Sequence, residues 1–311
     1  MKSIVLSGGG SLGCFEAGFL YQTFDEIKYE NLCGTSAGSL NCLLLAQAYL
    51  KNDKEIIKQA YYEKITGNSK IYSKNYLRTV FGWGKPPYGY KPLRKLLSEI
   101  IDFKSLLTIG QTLKLTSVDL ITGDLVTFSN KDKDMTADKL LNAAVASASI
   151  PPAFDPVIID GYKLVDGGIR ANIPVCNIVA DDEVNHAIVL LCFPPNLDKL
   201  NDDYSGIIGI ASRTLDIILN QVSISSLKST IQTNKLIDLF LNNGGNIYNS
   251  ELNNFLFNKK IVDLDIIAPD KELPGSTLDF NPKLMKKGFE IGQLKGIEYL
   301  NNMSDIKYHN I

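Results

Sequence analysis

Histidine is nearly absent from this chain: His186 and His309 are the only two in 311 residues. Chemistry that needs an imidazole base must use one of them, and each has a plain structural reading. His186 borders an apolar stretch and His309 stands close to the C-terminus. Cysteine is also sparse, with Cys14, Cys33, Cys42, Cys176 and Cys192 scattered and without C-x-x-C spacing. That pattern argues against a disulfide framework and a zinc site and fits a reducing compartment. Neither sign of charge is in excess. The formal net charge is −2 and the isoelectric point about 5.8, so no global attraction to nucleic acid is expected. No apolar run reaches the ~20 residues that span a bilayer, and Met1 to Leu6 lead straight into glycines, leaving no room for a signal peptide. The expectation is a cytoplasmic protein, at most peripheral at membranes.

What the chain does have is apolar material and periodicity. A hydrophobic fraction of 45% supports a large core. Ser3 to Leu6 reads as a strand and Phe15 to Ile27 as a helix, with Phe15, Phe19, Leu20, Phe24 and Ile27 at helical spacing. A short strand ends near Cys33, and the following helix carries Leu40, Leu43, Leu44 and Ala48. Further strands are predicted at Leu113–Asp119, Leu125–Ser129, Tyr162–Val165, Ala187–Phe193 and Ile261–Ile267, and a long amphipathic helix from Ile207 toward Gly244-Gly245. The alternation predicts an α/β protein with a mainly parallel central sheet covered by helices on both faces, its ligands at the strand C-terminal edge. One domain is expected over residues 1–311. Its motif-bearing core is about 1–195, and residues 196–311 complete it.

Three motifs carry chemistry. Gly34-Thr35-Ser36-Ala37-Gly38 reads G-x-S-x-G at the head of a helix, a spacing that lifts a serine oxygen onto a sharp strand-to-helix elbow. Upstream, Gly8-Gly9-Gly10-Ser11-Leu12-Gly13 follows the first strand, where backbone N–H groups can face a developing negative charge. A serine hydroxyl needs a base. With histidine so scarce, Asp166-Gly167-Gly168 offers one, a carboxylate emerging at a strand end above two glycines; the same three residues also read as a plain turn.

These blocks occur in a fixed order, and Ala146-Ser147-x-Ser149-x-Pro151-x-x-Phe154-x-Pro156 and Asn172-Ile173-Pro174 flank the last of them. Over roughly residues 3 to 180 the chain resembles the patatin-like phospholipase family. The resemblance implies a three-layer α/β/α lipid acyl hydrolase, cleaving carboxylic esters of phospholipids or related acyl lipids through an acyl-enzyme. It maps Ser36 to the nucleophile, Asp166 to its base in a Ser-Asp dyad, Gly34 and Gly38 to the elbow, Gly167 and Gly168 to the D-G-G turn, and Gly8, Gly9, Gly10 and Gly13 to the oxyanion hole. No metal or cofactor is implied. A dyad suits a chain with almost no histidine, and partial burial should raise the basicity of Asp166.

One position departs from the family pattern. Leu12 stands where Arg or Lys usually precedes the last glycine, so a positive charge beside the oxyanion is missing. This implies lower activity, a different substrate, a compensating cation such as Arg170, or retained lipid binding without catalysis. On the sequence alone Leu12→Arg is expected to match or raise turnover. Two rival enzymes are also weighed. Ser36, Asp166 and either histidine occur in the order of a conventional triad. Gly8-x-Gly10-x-x-Gly13 with Glu30 downstream is a dinucleotide fingerprint, but it leaves the second glycine elbow unexplained.

Between Ile65 and Lys95 the chain has seven basic residues, six aromatics and no acidic residue, around a Gly-Trp-Gly-Lys-Pro-Pro segment. Two readings stay open. The aromatics fold inward beneath solvated lysines, or the segment is a lid or docking loop for anionic membranes, with Trp83, Lys74 and Lys85 as its contacts.

Overall fold

The computed structural model describes residues 2–74, 86–179, 184–197, 206–242 and 260–302. Its strands are β1 (Lys2–Leu6), β2 (Asn31–Thr35), β3 (Ser73–Lys74), β4 (Tyr88–Gly89), β5 (Thr112–Asp119), β6 (Leu125–Ser129), β7 (Val157–Ile159), β8 (Tyr162–Asp166), β9 (His186–Leu190) and β10 (Asp263–Ile267). The α-helices are α1 (Cys14–Thr23), α2 (Ala37–Lys51), α3 (Glu55–Gln59), α4 (Lys91–Ile100), α5 (Phe103–Leu106), α6 (Ala137–Ser147), α7 (Gly168–Ala171), α8 (Cys176–Val179), α9 (Gly206–Asn242) and α10 (Pro282–Asn301).

The central sheet runs β10-β9-β1-β2-β5-β8-β7, and β6 also pairs with β5. From β10 to β5 all neighbours are parallel, whereas β6, β8 and β7 add antiparallel pairs beyond. Alternate side chains supply the two faces, as the pleat requires. Ile4, Leu6, Leu32, Ile188 and Leu190 join a core with α1, α2 and α10. Val5, Cys33, Ala187, Val189 and Leu264 face the other way, toward Ile178 of α8 and Leu227 of α9. The result is a mainly parallel sheet flanked by helices.

Register decides the site. On one edge of β5, β2 pairs with Thr112 to Thr116, and where β2 ends β8 takes over, pairing with Ser117 to Asp119. The opposite edge of the same stretch is held by β6. Thr35 therefore sits beside Thr116 and Asp166 beside Ser117, on one edge and one step apart.

The predicted elements shift mainly at their ends. α1 stops at Thr23, whose hydroxyl turns back onto Phe19 O at 3.0 Å, so Phe24 and Ile27 lie beyond the helix. The ninth strand ends at Leu190, so Leu191 to Phe193 continue as irregular chain. The last helix α10, not predicted, packs along α1. Among the described residues no helix is long and apolar enough to cross a membrane.

Candidate active site

Ser36 occupies the corner between β2 and α2 with φ 54° and ψ −124°, a left-handed conformation that costs a non-glycine residue roughly 1–3 kcal/mol. The surroundings enforce it. Ser36 N–H donates to Ser147 Oγ at 2.9 Å, and Ser36 O accepts from Leu40 N–H at 3.3 Å. Gly34 and Gly38 are required by close approach: a side chain at Gly34 would start 2.4 Å from the Gly38 carbonyl carbon, and one at Gly38 would start 2.3 Å from Leu6 O. The elbow can thus be this tight only with glycine at both positions.

Asp166 ends β8 beside this corner and is 2% exposed. Its Oδ1 accepts from Gly168 N–H at 2.7 Å, and its own N–H donates to Ser149 O at 2.9 Å. Burial raises its pKa to about 7, against the opposing pull of the Ser36 hydroxyl and the Gly168 N–H. The Ser36 hydroxyl comes close enough to exert that pull without an aligned hydrogen bond, and Asp166 Oδ2 has no partner among the described residues. Ser147 and Ser149, noted in the sequence only as a matching block, anchor the backbone of Ser36 and Asp166 respectively.

The glycine loop bends over the same corner. Gly10 has φ 56°, and a side chain there would begin 2.0 Å from Thr277 O, which accepts Ser11 N–H at 3.0 Å. Gly8 N–H is engaged by Asn172 O at 3.0 Å and Leu12 N–H by Gly9 O at 3.1 Å. The N–H groups of Gly9 and Gly10 meet no acceptor among the described residues. Gly13 packs against Ala37.

Two supports of this loop escaped the sequence reading. Glu16, fully buried, accepts Ser7 N–H at 2.8 Å, Ser7 Oγ at 3.1 Å and Asn41 Nδ2 at 3.0 Å, tying the loop's start to α2. Burial pushes its pKa up to about 8. Across the loop, Thr277 donates to buried Asp216 of α9 at 2.5 Å, and burial raises that carboxyl to about 6. The adjacency of Glu16 to the glycines was a signal; Thr277 and Asp216 had none.

From Ser36, Ala37 and Gly10 a cavity of about 70 Å³ leads inward between Leu40, Leu44, Leu93, Leu97, Ile150 and Phe280. Among the described residues the hydroxyls on its wall are those of Ser36 and Tyr61, the latter donating to Asn41 Oδ1 at 2.8 Å. Away from its mouth at Gly10, Ser36 and Ala37, such a lining suits an alkyl chain better than a charged group. Among the described residues no group of three His, Cys, Asp or Glu could hold a metal.

Other candidate residues lie elsewhere. His186 begins β9 in register with Lys2, at the N-terminal edge of the sheet, where its Nε2 is 3.0 Å from Asp265 Oδ2. The corner at Ser36 is at the opposite edge, just past Thr35, which lies five residues or about 16 Å further along strands rising ~3.3 Å per residue, so His186 cannot complete a triad; His309 lies outside the described residues. Glu30 precedes β2 at that same N-terminal edge, which removes the ribose contact of the dinucleotide reading. Arg170 turns away to Gly123 O and Asp124 and supplies no compensating charge. Tyr72 and Tyr88 fold inward, with ring centroids 4.5 Å apart and Phe154 and Phe280 packed on Tyr72. Lys74 is exposed at the end of β3, and Trp83 and Lys85 lie outside the described residues.

Leu12 corrects the expectation drawn from its missing charge. The side chain is 4% exposed and belongs to the core beneath the loop, so arginine there would bury a guanidinium without a partner. Leu12→Arg is expected to cost about 3 kcal/mol or more and lower Tm by roughly 10 °C, while Leu12→Met changes little. A thermal melt of Leu12→Arg that matches the parent would show that the side chain reaches the cleft instead.

The model of the patatin-like phospholipase family matches residues 4–177, which contain the glycine loop, the elbow and the D-G-G turn. The chain belongs to the patatin-like phospholipase family. A relative, the probable lipid hydrolase 463L of Invertebrate iridescent virus 6, is 29% identical over 184 residues, covering 56% of this chain and 62% of that protein. The match thus spans less than two thirds of the relative's own length. Among solved structures, VipD from Legionella pneumophila aligns over 97% of this chain and 67% of its own, with a TM-score of 0.43 and 15% identity.

Proposed function

We propose that this patatin-like protein is a lipid acyl hydrolase that cleaves carboxylic esters with a Ser36-Asp166 dyad. The observation that carries the reading is a strained serine beside a buried carboxylate, one oxygen of which meets no donor among the described residues, at the mouth of an apolar cavity and under backbone N–H groups that meet no acceptor among those residues. Family membership and the viral relative's name support lipid hydrolysis in general.

In the proposed reaction the acyl chain lies in the cavity. Asp166 accepts the Ser36 proton as the oxygen attacks the ester carbonyl. The N–H groups of Gly9 and Gly10, with that of Ala37 at the start of α2, receive the oxyanion; Gly8, with its N–H already engaged, holds the loop in place. Asp166 returns the proton to the departing alcohol. Water then releases the fatty acid from Ser36.

The base must be ionised to act, and its pKa is raised to about 7. The expected kcat/KM therefore rises with pH through that value and falls away below it. A fluorophosphonate probe should label Ser36, and defined phospholipids, lysophospholipids and triacylglycerols should release fatty acid. Labelling at another residue, or no release from any lipid, would overturn the reading.

A further inference from the structure

Asn172 follows the D-G-G turn at the end of α7, and its side chain is fully buried. Its Nδ2 donates to Gly8 O at 3.1 Å and to Ser223 Oγ at 2.9 Å, while Ser223 passes its own proton to Leu219 O at 2.8 Å. Both amide protons are therefore engaged. Turning the amide over would set its oxygen against Gly8 O, so the hydrogen bonds fix which way Oδ1 points. It points back toward the candidate site, and no donor among the described residues meets it.

Two construction points locate that oxygen. Where a side chain at Gly8 would begin, Asn172 Oδ1 is 2.3 Å away and Ser36 Cβ 3.0 Å. Where one at Gly168 would begin, Asn172 Oδ1 is 2.8 Å away and Asp166 Oδ1 3.0 Å. Asp166 Oδ2 is a second buried acceptor without a partner among the described residues. Two unmet acceptors, one neutral and one basic, thus flank the same serine, and buried polar atoms are rarely left so.

We propose that Asn172 positions the water that hydrolyses the acyl-enzyme, an inference that rests on the Ser36-Asp166 reading. Water carries two protons, and an attack needs one of its lone pairs aimed at the carbonyl carbon. Asp166 accepts the proton that is transferred, and Asn172 Oδ1 holds the proton that stays. The water oxygen bonds to the acyl carbon, a tetrahedral oxyanion forms, and its collapse breaks the bond to Ser36 Oγ. Asp166 then returns its proton to that oxygen, leaving free serine and a fatty acid. The serine hydroxyl that attacks in the first step has a single proton, which goes to Asp166. Asn172 therefore serves the second step and not the first.

This selectivity gives the test. With a p-nitrophenyl ester, Asn172→Ala should acylate at close to the parent rate, accumulate acyl-Ser36 by intact mass, and turn over roughly ten- to a hundredfold more slowly. Methanol has one proton and needs no second acceptor, so in its presence the ratio of methyl ester to fatty acid should rise at least about tenfold over the parent. Ser223→Ala, which keeps Asn172 but unpins its amide, should move the ratio the same way by less. Parallel slowing of both steps in Asn172→Ala with an unchanged product ratio would show a merely structural role and overturn the proposal. So would an unchanged ratio in folded Ser223→Ala, should Asn172→Ala not fold. If the parent itself forms neither acyl-Ser36 nor methyl ester, the acyl-enzyme reading falls, and the role of Asn172 with it.

Discussion

Ser36→Ala is expected to reduce ester hydrolysis by at least ~10³-fold and to leave the protein folded, because its loss removes the group to which the acyl transfer is assigned. The structural contacts of this residue run through its backbone: its N–H is held by Ser147 Oγ and its carbonyl by Leu40 N–H. Alanine keeps both, along with the Cβ that packs beside Gly8. Thermal melting should stay close to the parent while turnover of both soluble and lipid esters disappears. Full activity in the variant would end the assignment of Ser36, and a collapsed melting curve would show that the hydroxyl is needed for folding.

Asp166→Asn is expected to lose at least ~100-fold in kcat, in line with general-base contributions. The amide oxygen can still accept from Gly168 N–H, so the turn survives the change. Stability should move the other way. The folded-state pKa of Asp166 lies above its ordinary value, so between about 4 and 7 the folded protein holds a proton that the unfolded chain releases, and stability falls as pH rises through that window. Above pH 7 the parent carries a buried charge that Asp166→Asn lacks. The variant should therefore melt higher than the parent at pH 8 and lose that advantage toward pH 4. A variant less stable than the parent at pH 8 would contradict this account of the carboxylate. His186→Ala in the same activity assay should stay within about threefold of the parent, a change of well under 1 kcal/mol, because that imidazole pairs with Asp265 at the far edge of the sheet. A loss comparable to that of Asp166→Asn would restore the triad.

Much of the fold could be read directly from the chain, because period and punctuation are local properties. The strands at Leu125–Ser129 and Thr112–Asp119 stand out as alternating or apolar runs, and the structure moves their limits by one residue at most. α10 was not legible, since three glycines interrupt its apolar pattern; only packing against α1 explains them. The short antiparallel β7 was hidden for a different reason: three residues carry no usable period.

At the candidate site the same division holds. The Ser36 corner is encoded within five residues, because strand end, glycine, serine and helix start are neighbours in sequence and sterics alone dictate the turn. The D-G-G turn is local in the same way. Which carboxylate meets the serine is not local: it depends on β8 taking the edge of β5 that β2 vacates, a matter of strand register across the sheet. Tertiary packing also decided that Leu12 is core, that His186 and Glu30 stand at the wrong edge, and that Asn172 turns toward Ser36 an oxygen with no donor among the described residues. Side-chain identity sets what each group can do, and the local chain sets how it is presented. Burial and the neighbours that cause it come only from segments far apart in sequence, and these raise the Asp166 pKa and enclose the apolar cavity.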